Sequence, residues 1–295
     1  MRFGLTPLQF QPIVEQIFSG GAPDLSHFNI LEILKRGAQI EHISVLELTM
    51  DINSIFQNVL TAEKIDDLNG LRDELGISYT VHLPLWSIEL ATFNEYVRRA
   101  SVECMVDAIK MVEPLEPEVY VLHCTGPLAT EFTQLKYPDH IVHMIGTLMS
   151  GLFSAKSVEE IITGSEVDPS KIGIENLEFP FDITRNLVDE YGTGICFDTG
   201  HLLSGQSGNE TVLEFYRKHR DKIVELHLHD GRLSKPGERG YFDHKPLGIG
   251  DMPIREFLMK LVKDKFNGPL IFELGESGVI ASLKKIKEVV PEALV

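Results

Sequence analysis

Eight short apolar runs recur along this chain, at residues 3–7, 43–48, 79–83, 119–123, 172–175, 195–198, 223–228 and 270–274. Each is unpatterned enough to be expected as a strand buried on both faces, as parallel strands are. Longer segments of helical period separate them. The clearest joins Ile141, Met144, Ile145, Leu148, Met149, Leu152 and Phe153 at i, i+3, i+4, i+7 spacing. Further helices are expected over 26–37, 65–75, 91–111, 211–221, 254–266 and 281–290. Eight strand–helix repeats in 295 residues predict an α/β chain closed into a single (β/α)8 barrel over residues 1–295. A doubly wound nucleotide-binding sheet would want Gly-x-Gly-x-x-Gly after its first strand, and Gly4-Leu5-Thr6-Pro7 is nothing like it. The isolated Gly248-Ile249-Gly250 reads as a turn.

The chain carries 27 basic and 44 acidic residues, a formal net charge of −17. That balance opposes sequence-independent binding to nucleic acid, whose affinity comes mostly from Lys and Arg neutralising phosphates. Three scattered cysteines, Cys104, Cys124 and Cys196, form neither a disulfide framework nor a Cys-x-x-Cys zinc pattern. They point to a reducing compartment. The opening residues lack a signal peptide's apolar core, and no run approaches the roughly 20 apolar residues of a membrane span. A cytoplasmic protein with no membrane partner is expected.

Chemistry-bearing residues gather where the strands end. Asp198 closes an apolar run and is followed by the turn Thr199-Gly200 and by His201. The second strand offers Glu47, the third His82, the fourth His123 and the fifth Glu175. The seventh offers His227, His229 and Asp230, and the eighth Glu273. In a barrel these positions converge on one rim, where active sites form. A lone histidine at a strand end is more often a core residue, but six of the eleven histidines fall at such places. Glu175 and Glu273 interrupt apolar strands, and buried glutamates are rarely unpaired. Carboxylates crowded together repel one another without a cation, so a divalent-metal cluster is expected. The segment 241–250 adds Asp243 and His244 on the loop after the seventh strand.

With those residues in place, the chain resembles the xylose isomerase-like TIM barrel superfamily, which includes endonuclease IV and many sugar isomerases and epimerases. The resemblance rests on His82-Leu-Pro, Leu-His123, Ile-Glu175-Asn, Phe-Asp198-Thr-Gly-His201, His227-Leu-His-Asp230, His244-x-Pro-Leu-Gly-x-Gly and Phe-Glu273. It implies a reduced metal set in the isomerases, here Glu175, Asp198, His227 and Glu273. The endonuclease-like phosphodiesterases add His82, His123, His201 and His244. The resemblance then implies one ion on His82, His123 and Glu175, and a second on Glu175, Asp198, His227 and Glu273. A third would sit on His201 and His244 with a carboxylate. Two departures stand out. Phe242 occupies the place of the expected aspartate, leaving Asp243 one residue late, and His229 stands where asparagine is usual.

The function expected is a metal-dependent phosphodiesterase with two or three divalent ions, zinc first, with manganese, cobalt or iron as alternatives. Glu175 and Glu273 are the expected catalytic carboxylates. The alternative is a sugar isomerase or epimerase in which those two glutamates move the proton. The substrate expected is a small phosphodiester rather than nucleic acid, with an abasic-site endonuclease the less favoured reading. The opening Arg2-Phe3-Gly4-Leu5-Thr6 resembles the branch that hydrolyses the nucleotide loop of cobamides in corrinoid remodelling. His229, Asp230, Asp243, Arg232, Lys245 and Trp86 are the candidate substrate contacts, with Lys235, Arg239, Tyr241, Phe242 and Phe181 in supporting places. Neither the oligomeric state nor the metal's identity is legible.

Overall fold

The structure, a computed structural model, describes residues 1–7, 28–56, 59–135, 138–177, 179–238 and 240–294. The barrel begins with strands β1 (Arg2–Leu5), β2 (Ile43–Thr49), β3 (Ser78–His82) and β4 (Tyr120–Leu122). It continues with β5 (Ile172–Glu175), β6 (Gly194–Asp198) and β7 (Ile223–His227). A hairpin of β8 (Asp230–Arg232) and β9 (Phe242–Lys245) follows, and β10 (Pro269–Phe272) closes the ring against β1. All eight ring strands pair in parallel. Each lies within two residues of its expected bounds. The near-continuous apolar runs are explained by this geometry, since every ring strand has a packed barrel interior on one side and helices on the other.

The helices form where capping and periodicity agree. Helix Ile30–Ala38 starts at Asn29, whose side chain accepts the Glu32 amide, and it buries Ile30, Ile33 and Leu34. Residues 26–27 of its expected start lie outside the described residues. Helix Val212–His219 opens with a capping box between Thr211 and Glu214. Among the described helices that were not foreseen are Phe181–Tyr191, Pro127–Gln134, the short Asp51–Ile55 and the short Thr199–Leu203 that follows Asp198.

The clearest periodic helix forms, but it buries only part of the face its period marks, Met149 fully and Ile145 in part. Helix Asp139–Leu148 runs through a π-helical turn, Met149–Ser154, into helix Ala155–Ser165. The π turn shifts the helix phase, so Gly146, Met149, Ser150 and Ser154 turn inward while Met144, Leu148 and Leu152 stay exposed. Ser154 Oγ donates to the Cys124 carbonyl at 2.7 Å, and Gly146 meets Phe179 and Ile183 closely enough that a Cβ would stand 3.0 Å from each. By length and composition the stretch Asp139–Ser165 could cross a membrane; here it packs on helix Glu95–Val112 with Val158 and Ile161 fully buried.

Closure of the barrel leaves no room beside β1. A Cβ on Gly4 would fall 2.5 Å from Ile271 Cδ1, 2.7 Å from the Val45 carbonyl oxygen and 2.8 Å from Val45 Cβ. Two of those neighbours belong to β2 and one to β10, so relief at one side tightens the other. Gly4→Ala is therefore expected to destabilise the fold by about 1–3 kcal/mol, the usual range for overpacking. Urea unfolding checks this, and an unchanged midpoint would mean that the seam yields.

Candidate metal centre

The parallel register carries the interior side chains to one end of the barrel. Thr49 pairs with His82, and Asp198 with His227, so these residues share a level. His123 and Glu273 follow the last residues of β4 and β10 directly. Glu175 ends β5, and its successor Asn176 pins the next strand. Asn176 Oδ1 accepts the Asp198 amide at 2.7 Å, while its Nδ2 donates to the Asp198 carbonyl at 2.9 Å and to Ser207 Oγ at 2.9 Å. Asp198 then caps helix Thr199–Leu203 through the His201 amide at 2.6 Å, which sets His201 over the rim.

The expected ligands come together in three groups, the first two sharing Glu175, and within each group the donor atoms lie within 4.8 Å of one another. In the first, Glu175 Oε2 is 2.8 Å from His123 Nε2 and 3.6 Å from His82 Nε2. His82 Nδ1 donates to the Leu83 carbonyl at 2.9 Å, which leaves its Nε2 as the ligand nitrogen. In the second, His227 Nδ1 is 3.4 Å from Glu175 Oε1, 3.8 Å from Asp198 Oδ2 and 3.2 Å from Glu273 Oε2. The third joins His201, Asp243 and His244. Neighbouring residues of a strand point to opposite faces, so Asp243 and His244 should not share a site. They do because His244 has a left-handed backbone, φ +49, which breaks the alternation. Its Nδ1 lies 3.3 Å from Asp243 Oδ1, so the aspartate that comes one residue late still joins the group.

This arrangement fits divalent ions. Ligands of one tetrahedral ion at bond lengths of about 2.0–2.2 Å stand roughly 3.3 Å apart, and most of the donor pairs above are at 3.2–3.6 Å. Asp198 Oδ2 and His227 Nδ1 are also buried without a hydrogen-bond partner, a costly condition that a cation between them relieves.

A second layer lies beneath. Glu47 pairs with Thr80, and Glu225 with Cys196, one inward step below His82 and Asp198. Glu47 Oε2 receives His227 Nε2–H at 3.3 Å, and its Oε1 accepts Thr6 Oγ1–H at 2.9 Å. Glu225 Oε1 is 3.6 Å from the same His227 nitrogen. Sequence reasoning placed Glu47 at the rim and passed over Glu225. The signal was present, because Glu225 is an acid in an apolar strand two residues before His227 and so on its face.

Protonation follows from burial and neighbours. Burial raises Glu175 and Glu273, but the surrounding imidazoles prevail and hold both well below the usual carboxylate range. Burial lowers His82 and His201, yet adjacent carboxylates push each up to about 9. His227 and His244 are likewise raised well above an ordinary imidazole. Glu225 is pushed far up by burial and then by the charge of Glu47.

Several expected substrate contacts are otherwise engaged. Asp230 is fully buried and accepts the amides of Gly231, Gly248 and Met252 at 2.9, 2.8 and 2.9 Å, so it fixes the 248–252 loop rather than a substrate. Arg232 stacks over Phe242 at 3.7 Å and makes a two-point pair with Glu238, both bonds 2.8 Å. Lys245 also lies over Phe242, at 5.2 Å. Asp243 Oδ2 accepts from Gln206. Phe181 packs against Phe215 and His219 in the core, away from solvent. Trp86 and Tyr241 remain exposed, at 51% and 41%. His229 is fully buried beside Asp198. Arg239 lies outside the described residues.

Residues 43–290 match the model of the xylose isomerase-like TIM barrel family, and the chain belongs to that family. It is 28% identical to the uncharacterized protein MJ1311 of Methanocaldococcus jannaschii, over all of this chain and 89% of that protein. It is 21% identical to a probable endonuclease 4 of a Sulfurihydrogenibium species, over 83% of this chain and 89% of that one. Among solved structures, a D-tagatose 3-epimerase-like protein superposes with a TM-score of 0.69 at 23% identity, covering 99% and 98% of the two chains. Family and relatives together identify an enzyme fold that carries candidate sites for divalent metals.

Two outcomes are expected. Because His82 and His201 titrate near 9 without a cation, each holds a proton below that pH which an ion must displace. Ion uptake at pH 7 should therefore release protons, and affinity should rise as pH climbs towards 9. Calorimetry in buffers of different ionisation enthalpy measures the release; a pH-independent affinity would contradict it. Glu47→Gln removes the carboxylate that orients His227 and is expected to weaken ion binding by about 10–100-fold, measured by competition with a chromophoric chelator.

Proposed function

We propose that this chain is a metal-dependent phosphodiesterase acting on a small phosphodiester. The observation that carries the reading is the joining of His82 and His123 to Glu175, which extends the four-residue central group into a chain of donor sets. A central group alone meets the needs of an isomerase, which polarises one hydroxy-ketone. The added imidazoles suit a reaction in which charge grows on several phosphoryl oxygens at once. Divalent ions held there would polarise the phosphoryl group and acidify a water molecule.

The protein's own side chains have separate tasks under this reading. Glu175 reaches both the His82–His123 pair and His227, so it couples the two groups. Glu273 contacts His227 Nδ1 at 3.2 Å and His244 Nε2 at 3.3 Å, so it ties the central group to the outer one. Glu47 keeps His227 turned with Nδ1 towards the rim. Trp86 and Tyr241, on the loops after β3 and before β9, offer exposed aromatic surface.

A cobamide, cleaved at its nucleotide-loop phosphodiester, is the preferred substrate. It carries a single phosphodiester on a large, partly apolar body, which suits exposed aromatic residues and a chain of net charge −17. Repulsion from such a charge acts most strongly on a polyanion at low salt, where the Debye length reaches roughly 30 Å at 0.01 M. A sugar epimerase is the second reading, supported by Glu175 and Glu273 flanking one imidazole nitrogen at 3.4 and 3.2 Å.

The test compares a cobamide, abasic DNA and a ketose pair on protein loaded with zinc, manganese or cobalt. Corrinoid cleavage with little DNA nicking is expected. His82→Ala and His123→Ala should each lower the rate by about 100-fold or more, since losing a partner that only supports a metal ligand already costs about 10–100-fold, with circular dichroism unchanged. Cleavage of abasic DNA with an inert cobamide would overturn the substrate. Ketose interconversion without any hydrolysis would overturn the phosphodiesterase.

A further inference from the structure

His229 takes the place of an expected asparagine, and its surroundings are built around that exchange. The imidazole is fully buried. Its Nε2 lies 2.9 Å from Asp198 Oδ2 and 3.1 Å from Oδ1. The ring stacks on His244 with centroids 4.3 Å apart, and His244 Nε2 in turn lies 3.3 Å from Glu273 Oε2. Donor atoms of Asp198, His229, His244 and Glu273 all fall within 4.8 Å of one another.

Two further observations concern this group specifically. His229 Nδ1 is buried with no hydrogen-bond partner, and Asp198 Oδ2 is buried without one although His229 Nε2 stands 2.9 Å away, the hydrogen bond of that nitrogen going to Oδ1. The ring also needs Gly200, because a Cβ there would fall 2.3 Å from His229 Cδ2 and 2.7 Å from its Nε2. Gly200 is the middle residue of Thr199-Gly200-His201, so the turn after β6 leaves room for this imidazole and for no larger neighbour. Thr199 holds the other end: its Oγ1 accepts the His229 amide at 3.1 Å and lies 2.7 Å from the His229 carbonyl.

We propose that Asp198, His229, His244 and Glu273 form a divalent-ion position of their own, with His229 as a ligand that the family pattern does not supply. The proposal rests on the reading that ions occupy this rim. It also bears on the chain's two departures. At residue 242 an aspartate is replaced by Phe242, whose ring carries Arg232. Asp243, one residue on, still supplies a carboxylate to the His201–His244 group, and the imidazole at 229 adds a donor beside Asp198 and Glu273. Two imidazoles and two carboxylates suit zinc or cobalt(II) better than magnesium or calcium.

The experiment titrates metal-free protein with cobalt(II) and with zinc, following visible absorption, calorimetry and bound metal per chain. His229→Asn restores the expected residue, and Gly200→Ala keeps the imidazole but fills its space. Both variants should lose one binding step or weaken it about tenfold or more, the least that losing even a supporting partner of a metal ligand costs. The cobalt spectrum should lose intensity for that step alone, with the other steps and the circular dichroism unchanged. Wild-type and His229→Asn proteins with the same stoichiometry, affinities and cobalt spectrum would overturn the proposal while leaving the other ion positions intact. A His229-dependent step in a protein that hydrolyses no phosphodiester would uphold this site and overturn the phosphodiesterase reading. A wild-type protein that takes up no ion would overturn both.

Discussion

Glu175 is 1% exposed and stands among four imidazoles: His123 at 2.8 Å, His201 at 3.2 Å, His227 at 3.4 Å and His82 at 3.6 Å. A carboxylate removed from water needs positive charge or donors around it, and here it has a surplus. Two oxygens cannot accept from four rings with good geometry. The rings therefore either carry protons that repel one another or turn lone pairs towards shared cations. The rest of the rim depends on this residue's position. Asn176, next in the chain, fixes the end of β6 through both its amide atoms, and that places Asp198 and, one helical turn later, His201.

The inner layer explains how so much charge is tolerated. Glu47 and Glu225 lie beneath His227, both fully buried. Burial, reinforced by the charge of Glu47, pushes Glu225 far above its ordinary value, while His227 pulls Glu47 below its own despite burial. The two carboxyls are thus driven in opposite directions, and Glu47, the one favoured as the carboxylate, is the one that receives His227 Nε2–H. The opposite face of that ring, Nδ1, is left towards Glu175, Asp198 and Glu273. A carboxylate behind an imidazole is the common support for a metal-binding histidine, and here the protein builds it from strands on opposite sides of the barrel.

Most of the architecture was legible because buried parallel strands must be apolar throughout, so eight such runs announce eight strands. The rim residues were legible for the same reason in reverse: an acid or imidazole closing an apolar strand is conspicuous. Features that depend on local backbone departures were not. The left-handed conformation of His244 brings in Asp243 against the strand alternation, and no residue type there advertises it. The π turn at Met149–Ser154 turns part of a strongly periodic stripe outwards, which a search at constant period cannot register. The hairpin of β8 and β9 was read as a loop, since its strands are short and polar. For that reason Asp230 and Arg232 looked available to a substrate when their partners lie within the hairpin and the turn it supports.

That hairpin bears on what the site can hold. Of its basic residues, Arg232 is neutralised by Glu238 through two bonds and covers Phe242, and Lys245 lies over the same ring. Charge already matched within the protein adds little attraction for a phosphate. Under the proposed reading, an incoming phosphodiester therefore meets its compensating charge at the rim itself, from whatever cations the histidines and carboxylates gather. On that reading such a site would hold one phosphate well. It offers a long polyanion few further contacts along this flank, while the net charge of −17 opposes its approach. On that reading, selection for a compact ligand would need no dedicated steric gate, because the balance between a concentrated cationic centre and an acidic surround would favour a single, isolated phosphodiester.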